Sequence, residues 1–166
     1  MKTTKWINGL IERGLVCDKY KDKIAKALSK KQIMDVFLDA NGIPFLCEMS
    51  ISGDALPYEV ILSEFKSYIN GRYSSCRGEI GHEYTSAVYC CYSDSNGLDI
   101  DTTQTLFLGC SLNVNVKPND YVRIYLDKGS DIRIHCPESS KCIVENWGGV
   151  VSAIGSVENV RIKNNS

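Results

Sequence analysis

Between Leu106 and Asn146, apolar and polar residues alternate in four short segments set ten residues apart. Leu112-Asn113-Val114-Asn115-Val116 is the first, Val122-Arg123-Ile124-Tyr125-Leu126 the second and Ile132-Arg133-Ile134-His135-Cys136 the third. Cys142-Ile143-Val144-Glu145-Asn146 is a weaker fourth. Even positions are apolar almost throughout, and odd positions are mostly Asn, Arg, Tyr, His and Glu. Successive side chains of a strand point to opposite faces, so strict alternation predicts strands with one buried face. Because the period is an even number, every strand keeps the same in/out phase. The connecting pieces Lys117-Pro118-Asn119-Asp120, Asp127-Lys128-Gly129-Ser130 and Pro137-Glu138-Ser139-Ser140 are turn compositions. Proline fixes φ, glycine frees it, and Asn, Asp and Ser bond locally to the backbone.

Two architectures fit this pattern. One is a short-rung β-solenoid, in which strands stack rung on rung. The other is an antiparallel β-meander with hairpin loops. The phase alone does not separate them; near-equal strand and corner lengths favour the solenoid. In either, Val114, Ile124, Ile134 and Val144 are expected to be buried near one another.

Upstream the periodicity changes to that of helices. Thr4 reads as an N-cap for a short helix carrying Trp6, Ile7, Leu10 and Ile11, with Gly14 to end it. Asp18 reads as the cap of a second helix, with Tyr20, Ile24 and Leu28 on one face. Ser29-Lys30-Lys31-Gln32 is a capping-box pattern opening a third helix, with Ile33, Met34, Val36 and Phe37 inward and Asn41-Gly42 closing it. Residues 43–47 are too short to assign, and 50–55 read as a loop. Pro57 begins the most regular helical pattern, with Tyr58, Ile61, Leu62, Phe65, Tyr68 and Ile69. Residues 72–83 read as a polar segment, 84–92 as a strand and 93–97 as a turn. Trp147-Gly148-Gly149 breaks the ten-residue register before two last strands, 150–154 and 160–162. The expected class is therefore α+β: an N-terminal small helical bundle over 1–71, followed by a C-terminal β-repeat module over 72–166. A bundle this small has a thin core and is expected to lean on the β part.

Composition narrows the functional classes. Apolar content of 43% with 23% charged residues is that of an ordinary globular chain. A net charge of −1 gives no overall field for nucleic acid or a charged membrane. No apolar run approaches the roughly 18 residues of a membrane span, and no signal-peptide pattern opens the chain. Eight cysteines are present without any C-x-x-C pair, which favours free thiols packed as small apolar residues over disulfides or a zinc site.

Candidate chemistry is sparse. Residues 1–31 hold nine Lys or Arg against three acids, but no aromatic residues interleave as a single-strand binder requires, so this run reads as a solvated helix face. Glu79, His82 and Glu83, with Cys76 nearby, form the one dense polar cluster, a weak metal or acid/base candidate in a glycine-bearing loop. Arg123, Tyr125, Arg133 and His135 form one outward patch if adjacent strands stack in register. Such residue types are enriched in recognition surfaces. No nucleophile elbow, P-loop, dinucleotide fingerprint or H-E-x-x-H occurs. The chain thus reads as non-enzymatic, with no cofactor implied.

A helical N-terminal module followed by short β rungs resembles the virion accessory proteins of tailed phages: head-fibre, decoration and tail-fibre subunits. It also resembles small helix-plus-β-repeat proteins of gut Bacteroidales and their phages. The stretches that carry the likeness are Phe37-Leu38-Asp39-Ala40, Pro57 to Ile69, and the rungs Leu106 to His135. The resemblance implies a virion protein assembled in the host cytoplasm, docking by its helices on capsid or tail proteins. It implies a homo-oligomer, a trimer by analogy with fibres. A surface glycan is the alternative partner of the displayed β face. It carries over no functional residue.

Overall fold

The structure, a computed structural model, describes residues 5–38, 42–51, 63–69, 71–77, 83–100 and 103–165. The alternating segments wind as a two-sheet β-solenoid. One sheet, called A, contains β1 (Gly71–Arg77), β2 (Glu83–Cys90), β4 (Gln104–Leu108), β6 (Tyr121–Asp127), β8 (Lys141–Trp147) and β10 (Val160–Asn164), in that order. The other, sheet B, contains β3 (Ser93–Ile100), β5 (Ser111–Val116), β7 (Asp131–Cys136) and β9 (Val150–Gly155). Among the described residues, every pairing apart from the antiparallel β1–β2 pair is parallel. The meander is therefore excluded, and the chain makes roughly four turns.

The ten-residue period turns out to be half a coil. Leu112 pairs with Ile132 in sheet B, and Arg123 pairs with Ile143 in sheet A, each partner twenty positions on. Consecutive strands therefore face each other across the core. The expected face is buried: Val114 lies beside Ile134, Ile124 beside Val144, and all four are fully enclosed in one core between the sheets. Cys110, Cys136 and Cys142 pack in the same core.

Sequence runs of different length hold the coils in phase at the corners. At one corner the buried Asp127 carboxylate accepts from Gly109 N at 3.0 Å and Ser130 Oγ at 2.6 Å. One coil later Asn146, beside Leu126 in the ladder, binds the corner in its turn: Gly149 N donates to Asn146 Oδ1 at 2.8 Å, and Asn146 Nδ2 donates to Asn164 Oδ1 at 3.0 Å. The break at 147–149 shifts the inward phase, so Val151 and Ala153, at odd positions, face the core in β9. Gly149 is required there, since a Cβ would lie 2.5 Å from the Asp127 carbonyl oxygen.

Among the described residues, four complete α-helices precede the coil: α1 (Lys5–Glu12), α2 (Asp18–Lys26), α3 (Lys30–Phe37) and α4 (Gly42–Ile51). Ser29 caps α3 as the sequence predicts, accepting from Gln32 N, while Gln32 Oε1 accepts from Leu28 N one residue before the cap. The first helix forms as predicted, with Ile7 and Leu10 buried, but the others need correction: α3 already ends at Phe37, and Gly42, read as closing it, opens α4. Cys17, not Asp18, is the N-cap residue of α2, and no side chain caps it. Leu28 lies beyond the end of α2 and is 82% exposed. Residues 43–47, unassigned from sequence, lie in α4, whose Ile43, Leu46 and Cys47 are buried. This helix is apolar nearly all round, so it carries no amphipathic period to read. Thr4, Asn41, most of the helix expected from Pro57, and Tyr58 lie outside the described residues. The described end of that helix closes in a 3-10 turn, Lys66–Tyr68.

Two β predictions change as well. Residues 71–77, read as part of a polar segment, form β1 and pair with β2. The turn read at 93–97 is an irregularity inside β3, between Asp94 and Leu98, with Asn96 N donating to Asp94 Oδ1 and Gly97 at φ 84°.

The helices share one core with the outer face of sheet A, where Val88, Cys90, Leu106, Leu108 and Tyr125 meet Ile7, Leu10, Ile33, Phe37, Ile43 and Leu46. β4 is consequently buried on both faces. Three outcomes follow. Ile124→Ala should destabilise by ~2–5 kcal/mol in urea unfolding, as a large-to-small core change, whereas Asn113→Ala on the exposed face should change stability by less than ~0.5 kcal/mol. Gly149→Ala should cost ~1–3 kcal/mol, because the added carbon must displace the backbone of the preceding coil.

Candidate functional site

The coil decides what each outward residue can join. Arg123 and Tyr125 stand on β6 in sheet A, and Arg133 and His135 on β7 in sheet B. The single patch expected from sequence is therefore divided between opposite faces of the solenoid. Tyr125 is also not displayed. It is buried at 3% exposure beneath the helices and stacks on Trp147, ring centres 6.2 Å apart. The cause is the apolar outer face of sheet A, which the helices cover.

Arg123 is half-buried and held by the hydroxyls of Tyr125 and Tyr121. Burial opposes its charge, but those bonds and the Glu145 carboxylate raise its pKa above the ordinary value. Across the sheet, Lys163 Nζ lies 2.9 Å from Glu145 Oε1 and Asn165 Nδ2 lies 3.3 Å from its Oε2. Burial raises the Glu145 pKa, yet these bonds and the nearby Arg123 outweigh it and hold the carboxyl below its usual range.

The rows continue towards the C-terminal end. Arg123, Ile143 and Arg161 occupy one outward row of sheet A, with Tyr121 beside Lys141 in the next. There an open groove of about 180 Å³ is lined by Tyr121, Lys141, Ile143, Glu158, Asn159 and Arg161. Tyr121 is 53% exposed, and among the described residues neither Lys141 nor Arg161 has an ion pair. The groove thus presents an aromatic ring, two free cations and two hydrogen-bonding side chains from the last corner. Sequence reading missed it because its members join only through the twenty-residue stacking. Spaced that way, Arg123 and Ile143 align, and the signal was present.

The outer face of sheet B is exposed and mostly polar, with Val150 and Ile154 as its apolar members. Its rows run Ser111–Asp131–Val150, Asn113–Arg133–Ser152 and Asp99–Asn115–His135–Ile154. Asn115 Nδ2 donates to Asp99 Oδ1 at 3.0 Å, which fixes one row. His135 is exposed beside Gly155, with no base-like partner in hydrogen-bond reach among the described residues.

The remaining candidates resolve simply. Glu79 and His82 lie outside the described residues, and Glu83 opens β2 opposite Arg77. Among the described residues, no group of three or more His, Cys, Asp or Glu is placed to hold a metal. The basic run on α2 and α3 is a solvated face: Lys21 pairs with Asp18, Lys23 sits 5.0 Å over the Tyr20 ring, Lys30 pairs with Glu64 and Lys31 with Asp35. The described cysteines form no disulfide, and burial pushes the thiols of Cys110 and Cys142 up to about 11 and about 12. Such thiols carry no thiolate for chemistry at neutral pH. Leu15, Val16, Cys17, Tyr20, Ile24, Phe37 and Phe45 line an apolar hollow of about 220 Å³ within the helical module. No described helix is long and apolar enough to cross a membrane.

Comparison with protein-family models, curated proteins and solved structures finds no match.

The depressed Glu145 carboxyl predicts a pH effect. Its folded-state pKa lies below the unfolded one, so its stabilisation is full above the unfolded range and is lost as pH falls through the folded value. Glu145→Gln should lower stability at neutral pH. The gap to the parent chain should close in acid, below about pH 4, as followed by urea midpoints across a pH series.

Proposed function

We propose that this protein is a non-enzymatic interaction protein, built to join a larger assembly and present a rigid β surface. One observation carries the reading: the solenoid is covered on one face and at one end, and open elsewhere. Helices cover sheet A at its N-terminal coils, and β1 covers the first edge of that sheet. The outer side of sheet B is left exposed. Rigid repeats of this sort display side chains at fixed spacing. No catalytic constellation among the described residues competes with that role.

Within this class, the narrower reading is a virion accessory subunit of the head-fibre, decoration or tail-associated kind. It rests on the likeness of the helix-then-rung plan to tailed-phage proteins. In this reading the helical module docks on capsid or tail proteins, and the Arg133 and His135 face points outward. The test is mass spectrometry of density-purified particles from the source culture. Peptides of this chain should co-sediment with particles. Abundant chain in the cell lysate, with none on particles, overturns the virion reading.

A second reading is favoured by the groove at Tyr121: a module that binds an acidic surface glycan. An exposed ring can stack on a sugar face, while Lys141 and Arg161 meet a carboxylate, and Glu158 and the Asn159 Oδ1, whose Nδ2 is held by the Pro137 and Glu138 carbonyls, accept from hydroxyls. On a glycan array the chain should prefer uronate-bearing or sialylated structures over neutral ones. Tyr121→Ala should abolish that signal with folding intact, since the ring is half exposed. No preference for acidic glycans, or binding unchanged in the Tyr121 variant, removes this reading.

A further inference from the structure

The two ends of the solenoid differ. At the N-terminal end, β1 closes sheet A antiparallel to β2, and the edge of sheet B is β3, interrupted between Asp94 and Leu98. Irregular and acid-bearing edges resist pairing. At the other end, no described strand pairs with the outer edges of β9 and β10. β9 reads Val-Val-Ser-Ala-Ile-Gly, without a charge or a proline. Among the described residues six large apolar side chains are exposed, and four of them, Val150, Ile154, Val157 and Ile162, belong to this last coil. The Asn146–Asn164 side-chain ladder also reaches this end, with Asn164 as its terminal rung. A regular, uncharged, β-branched edge of this kind is a template for another strand.

We propose that the occupant is a second copy of this chain, joined end to end about a two-fold axis, with β9 of each copy pairing antiparallel with β10 of the other. This rests on the assembly reading above and gives it a geometry. Head-to-tail stacking is disfavoured because the opposite end is closed by β1 and broken in β3. A two-fold joint uses the same open end twice and closes. Two such joints are possible, and charge chooses between them. If like strands met, the outward Arg161 of β10, which has no ion pair among the described residues, would face the basic strand of its copy, although Lys163 is bridged to Glu145. Like charges directly opposite are unfavourable. If β9 meets β10, those residues face the neutral Val150, Ser152 and Ile154, on the same outer side. Both arrangements pair the strands antiparallel, and only the second avoids the clash. The joint is small, so its affinity is on the order of micromolar.

The test is sedimentation equilibrium of the full chain, with hydrogen exchange read by segment. Above micromolar concentration the mass should approach twice the 18.5 kDa of the chain, and amides of residues 150–155 and 160–164 should gain protection with concentration. Ile154→Lys should abolish the dimer while circular dichroism stays unchanged, since the side chain is half exposed. Two charge variants report the partner strand. With β9 on β10, Ser152→Glu sets an acid against the partner's basic strand and should tighten the dimer about three- to tenfold. Arg161→Glu should then leave it within about twofold. Like-on-like pairing inverts this: Ser152→Glu weakens the dimer and Arg161→Glu tightens it. That inversion overturns the proposal. So does an open-ended ladder of masses, or protection of 150–155 that arises only with a different protein. A trimer or larger species untouched by Ile154→Lys overturns the proposal while the assembly reading stands; a monomer at every concentration overturns the self-assembly of both.

Discussion

Everything in this fold depends on the closure of each coil in register with the one before it. A parallel ladder has no local partner: β6 finds its neighbours in β4 and β8, roughly twenty residues away on either side. The side-chain period in a strand is two, so a coil that returned one residue out of step would turn its apolar face to water. The corners absorb the differences in coil length. Asp127 with Ser130, and then Asn146 with Gly149, place a polar side chain under the chain as it turns and satisfy backbone N–H groups that the strand ladder cannot reach. A carboxylate with no exposure is costly to bury, and its bonds to a hydroxyl and a backbone amide offset that cost. The second turn, at Ser140, works alike: its hydroxyl donates to the Lys117 carbonyl one coil back.

The helical module inherits its stability from that ladder. Its helices α1 to α4 are short, eight to ten residues each, and helices of this length are marginal without tertiary packing. Sheet A supplies the missing surface. Val88, Leu106, Leu108 and Tyr125 form an apolar wall only because the coil stacks residues eighteen to nineteen positions apart: Val88 with Leu106, and Leu106 with Tyr125. Where the wall gives way to Glu145 and Lys163, the helical cover ends and the face turns polar. The boundary between covered and open solenoid is thus written in the outward rows of a single sheet.

Most of the β architecture was legible because its signal is local. Alternation named the inward residues, and turn compositions marked the corners. The third helix was legible for the same reason, through Ser29 and Gln32. What sequence could not show was which strands are neighbours. The ten-residue spacing is equally a rung or half a coil, and only the second reading moves Arg123 away from Arg133. Tyr125 was misplaced on the same ground: an outward position on a strand is exposed only if nothing lies upon it. α4 escaped because an all-round apolar segment has no period, and β1 because its polar residues give an edge strand little alternation.

The two faces of the coil now have different consequences for recognition. A residue on the outer side of sheet A is constrained twice, by the ladder beneath and the helices above, so substitutions at Leu106 or Tyr125 act on stability before they act on any partner. On sheet B the ladder alone constrains the outward side chains. Ser111, Asn113, Arg133 and Ser152 stand at spacings set by the backbone, about 4.8 Å between strands, with water on their far side. Such positions can change identity without changing the coil. Variation that retargets this protein would therefore concentrate on the odd positions of β5 and β7 and the even positions of β9, while the inward residues of the same strands stay apolar.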